Sequence, residues 1–242
     1  MLASVTHRMF AAAIVIAGLT GSAAAQDEAA FREAFGGDWY VFDNSVSAAD
    51  QICRMALSTE GDTPWTASAR NCTGALSDLE SWSIENGQIL LQAADVTEPL
   101  AAVGGNQFRL SGELAATGNT IIVERQAGDG AAARIAAALE EHTCFYRGLS
   151  SECATSEELQ VPQSAADGAD IITLAPLNVR ALPRRDAAIV GTVPEGSEIT
   201  ANQCMLASDG VWCRADFSGE TGFFAKNAVR QDEWPVTTFD VR

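Results

Sequence analysis

The residues of this chain that could do chemistry are six cysteines, two histidines and a large excess of carboxylates. A cysteine nucleophile needs a free thiolate and a histidine base, but an even number of cysteines can pair with none left over. None of them has the Cys-x-x-Cys spacing of a zinc knuckle or a redox centre. We therefore predict structural disulfides and an oxidising compartment for Cys53, Cys72, Cys144, Cys153, Cys204 and Cys213.

The connectivity of these cysteines stays open, because six cysteines allow about 15 pairings. Pairing between sequence neighbours is the simplest choice, since each bridge then closes a short loop. Two neighbouring pairs, Cys144 with Cys153 and Cys204 with Cys213, share one spacing.

The histidine that could act in the mature protein is His142, which follows Glu140 and Glu141. Two carboxylates and an imidazole could bind a metal ion, but a histidine at a helix C-terminus is commonly a favourable contact with the helix dipole. The sequence contains no His-Glu-x-x-His, Gly-x-Ser-x-Gly or phosphate-loop motif. We therefore predict no catalytic residue, metal site or cofactor, although the many acids leave a carboxylate-pair glycosidase open by residue type.

The N-terminus has the pattern of a secretory signal peptide, residues 1–25. Its apolar segment, Met9–Leu19, is followed by the small residues Gly21–Ala25. A segment of about 11 residues is shorter than the roughly 20 that an anchor helix needs. We therefore expect cleavage, and an uncleaved membrane anchor is the alternative. We expect a periplasmic or secreted protein without stable membrane insertion. Its first residue would be Gln26, or Ala25 if cleavage occurs one position earlier.

The net charge of −17 argues against binding to nucleic acid or anionic lipid. The acidity declines towards the C-terminus, and the small polar segment before residue 170 contains the turn pair Asp167-Gly168. Composition therefore places a boundary near residue 170. The predicted organisation is a signal peptide (1–25), an N-terminal arm (26–35), a β-domain (36–128), a helical, cystine-stapled linker (129–170) and a second β-domain (171–242).

Both β-domains show short strands between turn signals. In the first, strands are expected at 39–42, 52–57, 82–85, 88–91, 108–114 and 120–124, and Asn86-Gly87 is a strong hairpin signal. Such regular spacing predicts a sandwich or an up-and-down barrel. The linker contains helix-forming sequence at 131–142. The second domain repeats the strand pattern at 174–180, 189–193, 198–204, 211–216 and 221–225, so the fold class is all-β.

The second domain resembles the bacterial SH3 family. The matching segments are Leu177–Arg180 followed by Pro183, Ile189–Gly196, Gly210–Ala215 and Gly219–Phe224. The resemblance implies an SH3-like small barrel that contacts cell-wall peptides or envelope proteins. Trp212, Phe223 and Phe224 would line its aromatic groove, unless they form the core. Because Phe223 and Phe224 are adjacent on a strand, we expect one in the core and one exposed.

The first domain resembles the bacterial inhibitors of alkaline zinc metalloproteases. The matching segments, in order, are Gly37–Trp39, Cys53–Leu57, Cys72, Leu79–Trp82, Gly87–Leu91, Phe108 with Gly112, and Ile121–Arg125. This resemblance implies an eight-stranded, lipocalin-like up-and-down barrel. It also implies that Cys72 is the disulfide partner of Cys53.

In that family an extended N-terminal arm enters the protease cleft, and its free α-amine approaches the catalytic zinc. Here the arm would be Gln26, Asp27, Glu28, Ala29, Ala30 and Phe31. Its carboxylates must be paired or desolvated in the cleft, and a Gln26 that cyclises would lose the amine. The same residues could instead form a frayed terminus, or Ala29–Phe35 a short helix. The expected function is inhibition of a secreted zinc metalloprotease; the alternative is a non-inhibitory binding or scaffold protein of the envelope.

Overall fold

The computed structural model describes residues 22–49, 51–163, 168–217 and 219–242, with side chains from residue 28 onwards. The predicted signal peptide lies outside the described residues as far as residue 21. Within the described part, helix α1 covers Ser22–Phe35 and helix α2 covers Ala131–His142. Neither of these helices is long and apolar enough to cross a bilayer. Apart from two short 3-10 helices, Asn44–Val46 and Gly74–Asp78, the remaining regular structure is β, which confirms the predicted fold class.

Eight antiparallel strands close into a barrel in which each strand pairs with the next and the last pairs with the first. The closure confirms the predicted eight-stranded barrel. The strands are β1 Gly37–Val41, β2 Cys53–Leu57, β3 Trp65–Arg70, β4 Ser81–Glu85, β5 Gln88–Gln92, β6 Ala101–Gly105, β7 Arg109–Leu114 and β8 Thr120–Glu124.

Side chains fill the barrel interior. Strands such as β2 and β5 alternate between buried and more exposed positions, as expected when one face of a sheet is covered. Two tryptophans anchor this core, and the Trp82 ring lies against Trp65 with ring centroids 4.7 Å apart. The largest fully buried side chains that contribute to it include Trp39, Met55, Leu91 and Leu110. A filled interior disfavours binding of a small apolar ligand inside the barrel.

The C-terminal module, residues 169–242, contributes strands to three small sheets. These strands are β10 Ala169–Thr173, β11 Leu177–Arg180, β12 Ile189–Val193, β13 Glu198–Ala201, β14 Gln203–Ala207, β15 Gly210–Phe217, β16 Glu220–Ala225, β17 Asn227–Arg230, β18 Trp234–Thr237 and β19 Phe239–Val241. Five strands form the largest sheet, in the order β12, β11, β16, β15, β14. The core of the module includes Phe224, Phe239 and Val179.

The linker packs on the C-terminal module. Helix α2 contacts β17 and β18, and the two-residue strand β9, Tyr146–Arg147, pairs in parallel with β18. The fully buried Lys226 donates a hydrogen bond of 2.8 Å from Nζ to the carbonyl oxygen of Gln160. Because of these contacts, the segment predicted as a linker is part of the C-terminal module.

The barrel and the C-terminal module share a buried interface. Ile122 of β8 packs in one apolar cluster with Met205, Trp212 and Phe223 of the module. The Gln203 side chain accepts a hydrogen bond from Thr120 N and donates one to Thr120 O, both 2.8 Å long. The two β-units therefore form one packed body.

Candidate functional site

The predicted inhibitory arm lies in a helix. Gln26–Phe31 belong to α1, which differs from the extended conformation that we expected. The alanine-rich sequence favours a helix, and Phe31 stacks on Phe35 one turn later, with ring centroids 5.9 Å apart. The short-helix alternative for Ala29–Phe35 describes this segment better.

The last turn of α1 is attached to the barrel mouth. The Arg125 guanidinium donates to the carbonyl oxygens of Ala34 and Gly36 at 3.0 and 2.8 Å and lies over the Trp39 ring. Trp39 Nε1 donates to the oxygen of Phe35 at 2.7 Å. Burial lowers the pKa of Arg125. A cation beside these free carbonyls is favourable, because it compensates the negative end of the helix dipole. The arm is therefore attached to the barrel at its C-terminal end.

The first described side chains of α1 lie away from the barrel. Glu28, Ala29 and Ala30 are exposed, and Phe31 is 46% exposed although it lines a small cleft at the barrel mouth. An isolated exposed helical turn has little intrinsic stability in water. This part of the arm can therefore leave the helix at small cost.

The three residues predicted to line an SH3 groove are buried. Phe224 is in the core of the C-terminal module, whereas Trp212 and Phe223 lie in the interface with the barrel. The expected alternation of Phe223 and Phe224 is present, but neither is exposed because the barrel covers the second face of the sheet. These residues form no open groove here.

A charge network joins the two units inside the interface. Arg109 of β7 is 1% exposed and contacts Glu124 of β8 and Asp209 of the β14–β15 turn, both at 2.6 Å. Arg185 Nε lies 2.7 Å from the other oxygen of Asp209, and Trp212 Nε1 donates to Asp209 at 3.0 Å. Each buried charge therefore has an opposite partner, as a buried ion needs.

Asp209 is the centre of this network. Its burial by itself would raise its pKa, but Arg185 and Arg109, together with the hydrogen bonds from Arg109 and Trp212, outweigh burial and lower it. Burial opposes the charge of Arg109 as well, yet the two carboxylates raise the pKa of its guanidinium. Both shifts favour the charged forms of Asp209 and Arg109, and the network serves structure.

The disulfides join sequence neighbours, as the simplest pairing predicted. The bridges are Cys53–Cys72, Cys144–Cys153 and Cys204–Cys213, which leaves no free cysteine in the part of the chain that the structure describes. Cys204 and Cys213 are directly opposite on β14 and β15. With no reduced thiol in that part of the chain, nothing there can act as a cysteine nucleophile.

His142 lies beside Glu233, which is distant from it in the sequence. Ligand atoms of Glu141, His142 and Glu233 lie within 4.8 Å of one another, and the His142 ring packs on Trp234 and Tyr146. His142 Nε2 is buried without a hydrogen-bond partner among the described residues. One imidazole and two carboxylates are donors that zinc accepts, so this is where the described chain could hold an ion.

Arginines also gather around a surface cavity of the C-terminal module. The cavity has a volume of about 330 Å³ and is lined by Arg134, Arg180, Arg185 and Arg230. Sequence analysis missed it, because these residues come from the linker, the loop after β11 and two strands. Their arrangement could bind an anion.

No protein-family model matches this chain, and no curated protein matches it. The likeness to protease inhibitors and to SH3 domains therefore depends on the motifs quoted above. Geometry is the remaining evidence on function.

Sequence analysis also missed the interface. Arg109 and Glu124 fall within predicted strands, Asp209 falls between two of them, and Arg109 and Asp209 are 100 positions apart. One signal was available in β8, where Ile121-Ile122-Val123 is apolar without alternation. A continuous apolar strand is expected where both faces are covered.

Proposed function

We propose that this chain is an exported, non-catalytic inhibitor of a secreted zinc metalloprotease, which acts through the N-terminal part of α1. The supporting observation is the placement of that segment: Phe35 and Arg125 attach its end to the mouth of a filled eight-stranded barrel, while Glu28–Ala30 are exposed. A filled barrel supplies a rigid support for a projecting segment.

Inhibition would follow from ligand exchange at the protease zinc. A neutral α-amine is a nitrogen donor that can replace the catalytic water in the open coordination position. To reach a buried zinc, the residues before Phe31 unwind from α1 or enter the cleft as one helical turn. The last turn of α1 remains on the barrel in either case.

The test is a peptide-cleavage assay with a secreted alkaline zinc metalloprotease and the mature chain. We expect inhibition by the full chain and its loss after deletion of Gln26–Ala30, which keeps Phe31 on the barrel. Acetylation of the α-amine should also abolish inhibition, because an amide nitrogen is a poor zinc ligand.

Asp78→Asn is a matched control. It removes one negative charge from the barrel domain, in the 3-10 helix Gly74–Asp78 between β3 and β4, away from α1. Its inhibition should equal that of the unmodified chain. Absence of inhibition by the full chain, or equal inhibition after the deletion, would contradict the proposal.

A specific observation also favours the alternative, a binding protein of the envelope. The arginine-lined cavity is open and belongs to the module that was expected to contact cell-wall peptides or proteins. The ligand of this cavity would be anionic, and its binding need not involve the barrel mouth.

A further inference from the structure

The cavity lies where the linker meets the C-terminal module. Residues of α2 form one wall, the β10–β11 turn with Pro176 and the start of β11 form a second, and β17 forms a third. Its volume of about 330 Å³ is at the lower end of the range of roughly 300–1,000 Å³ for small-molecule sites. It therefore suits a small ligand.

The charge at this cavity is opposite to that of the whole protein. The chain has 15 basic and 32 acidic residues, yet four arginines line this one cavity with a single carboxylate, Asp232. Arginines clustered against such a strong overall excess of acids create a local positive field. A need for solubility does not explain this cluster of arginines, because the many acidic residues of the chain already provide solubility.

Three of these arginines are available to a ligand. Arg134 and Arg230 are exposed, and neither is in an ion pair within the described part of the chain. Arg180 is half-buried and donates one hydrogen bond, of 2.8 Å, to the oxygen of Ala187.

The fourth arginine holds the cavity wall in place. Arg185 is anchored by Asp209 and by the oxygen of Asn227, at 2.7 and 2.6 Å. Burial and then the nearby charge of Arg185 lower the pKa of Arg180. The repulsion between these two cations is a cost that a bound anion would remove.

Part of the remaining lining is apolar. Ile135 of α2, Pro176 of the β10–β11 turn and Val229 of β17 face the same space. A ligand that fits both parts has an anionic group at one end and a small apolar body. Guanidinium groups bind carboxylate and phosphate oxygens in paired hydrogen bonds, so they accept either group.

We propose that this cavity binds a small organic anion, with its carboxylate or phosphate held by Arg134, Arg180 and Arg230 and its apolar part against Ile135 and Val229. Arg185 positions the cavity wall and also adds to the positive electrostatic potential in the cavity. This site is separate from the proposed inhibition, because it involves no residue of α1 or of the barrel mouth.

The test is calorimetric titration of the mature full-length chain at low ionic strength. The probes are inorganic phosphate, the dipeptide N-acetyl-Ala-Ala with a free carboxylate, and the same dipeptide as its amide. We expect saturable binding of phosphate or of the free-carboxylate dipeptide, none of the amide, and weaker binding in added salt. The two anionic probes distinguish phosphate from carboxylate as the recognised group.

Arg134→Gln and Arg230→Gln are the decisive variants, because both side chains are exposed and their loss leaves the core intact. Each should weaken binding by about tenfold or more, the usual effect of losing one charge-assisted hydrogen bond. Arg70→Gln is the matched control, since it removes an equal charge from an exposed site on the barrel. Thermal melts check that all variants are folded.

Three results would overturn the proposal: no binding of either anion, binding of the amide as tight as that of the acid, or equal weakening by Arg70→Gln and the cavity variants. The protease assay separates this outcome from the proposed inhibition. Arg134→Gln should inhibit like the unmodified chain, whether or not the cavity binds an anion.

Discussion

At the scale of single residues, the interface charges are the most consequential feature. Arg109, Glu124 and Asp209 are each at most 2% exposed. Arg109 pairs with Glu124 within the barrel and with Asp209 across the interface. Such groups stabilise a fold only as a complete set, since an ion left alone in the interior loses its hydration without compensation.

We therefore predict that Arg109→Met destabilises the protein by about 3–5 kcal/mol, because two buried carboxylates lose a shared cation. Urea denaturation, followed by tryptophan fluorescence, measures this change. Arg54→Met is the control: Arg54 pairs with Asp38 on the solvent-exposed barrel surface, where ion pairs contribute little. Equal destabilisation by both substitutions would contradict the role of burial.

The lowered pKa of Asp209 predicts acid sensitivity. Because the folded pKa is below the unfolded value of 3.8, the stabilisation by this group is complete above that value. It is lost as the pH falls through the lower folded pKa. The free energy of unfolding should therefore drop as the pH falls below about 4, and less steeply in Asp209→Asn. An identical pH dependence in both proteins would refute this assignment.

At the scale of elements, the hairpin between β4 and β5 depends on its turn. Asn86 and Gly87 have φ angles of 52° and 79°, both in the left-handed region that a two-residue hairpin of this type requires. A β-carbon on Gly87 would meet no atom within 4 Å. Any effect of a side chain there comes from the backbone conformation alone.

Gly87→Ala should accordingly cost about 1–2 kcal/mol of stability, the usual penalty for a left-handed residue other than glycine. Gly104→Ala is a matched control, because a β-carbon there also meets no atom within 4 Å but its φ is outside that region. The control should be neutral or slightly stabilising. Thermal unfolding of the two variants gives the comparison, and equal losses would show that the turn conformation is not the cause.

At the scale of the whole molecule, the two β-units are joined by more than a covalent linker. The apolar cluster around Ile122 and Trp212 and the network around Arg109 are buried between them. If one unit unfolded alone, it would expose this apolar surface and leave charges unpaired on the other. Unfolding of either unit is therefore coupled to the other.

The full chain should unfold in one cooperative transition. Calorimetry and tryptophan fluorescence should give the same midpoint, and the calorimetric and van't Hoff enthalpies should agree. Two resolved transitions would mean that the interface contributes too little to couple the units, and that the barrel and the C-terminal module are independent domains.

The sequence by itself determined the local features of this protein. The alternation of apolar residues predicted the strands, Asn86-Gly87 predicted a tight hairpin, and the even cysteine count predicted disulfides. These features depend on residues that are close in the chain, where backbone geometry and side-chain periodicity suffice. They account for the all-β class and for the Cys204–Cys213 bridge across one turn.

Only the tertiary structure decided what covers each face. Alternation along a strand places Phe223 and Phe224 on opposite faces of the sheet, but it cannot show that a barrel packs on the face of Phe223. The same limit concealed Asp209 beside Arg109, Glu233 beside His142, and the arginines of one cavity. Contacts between distant segments depend on how whole elements pack, which no short window of sequence contains.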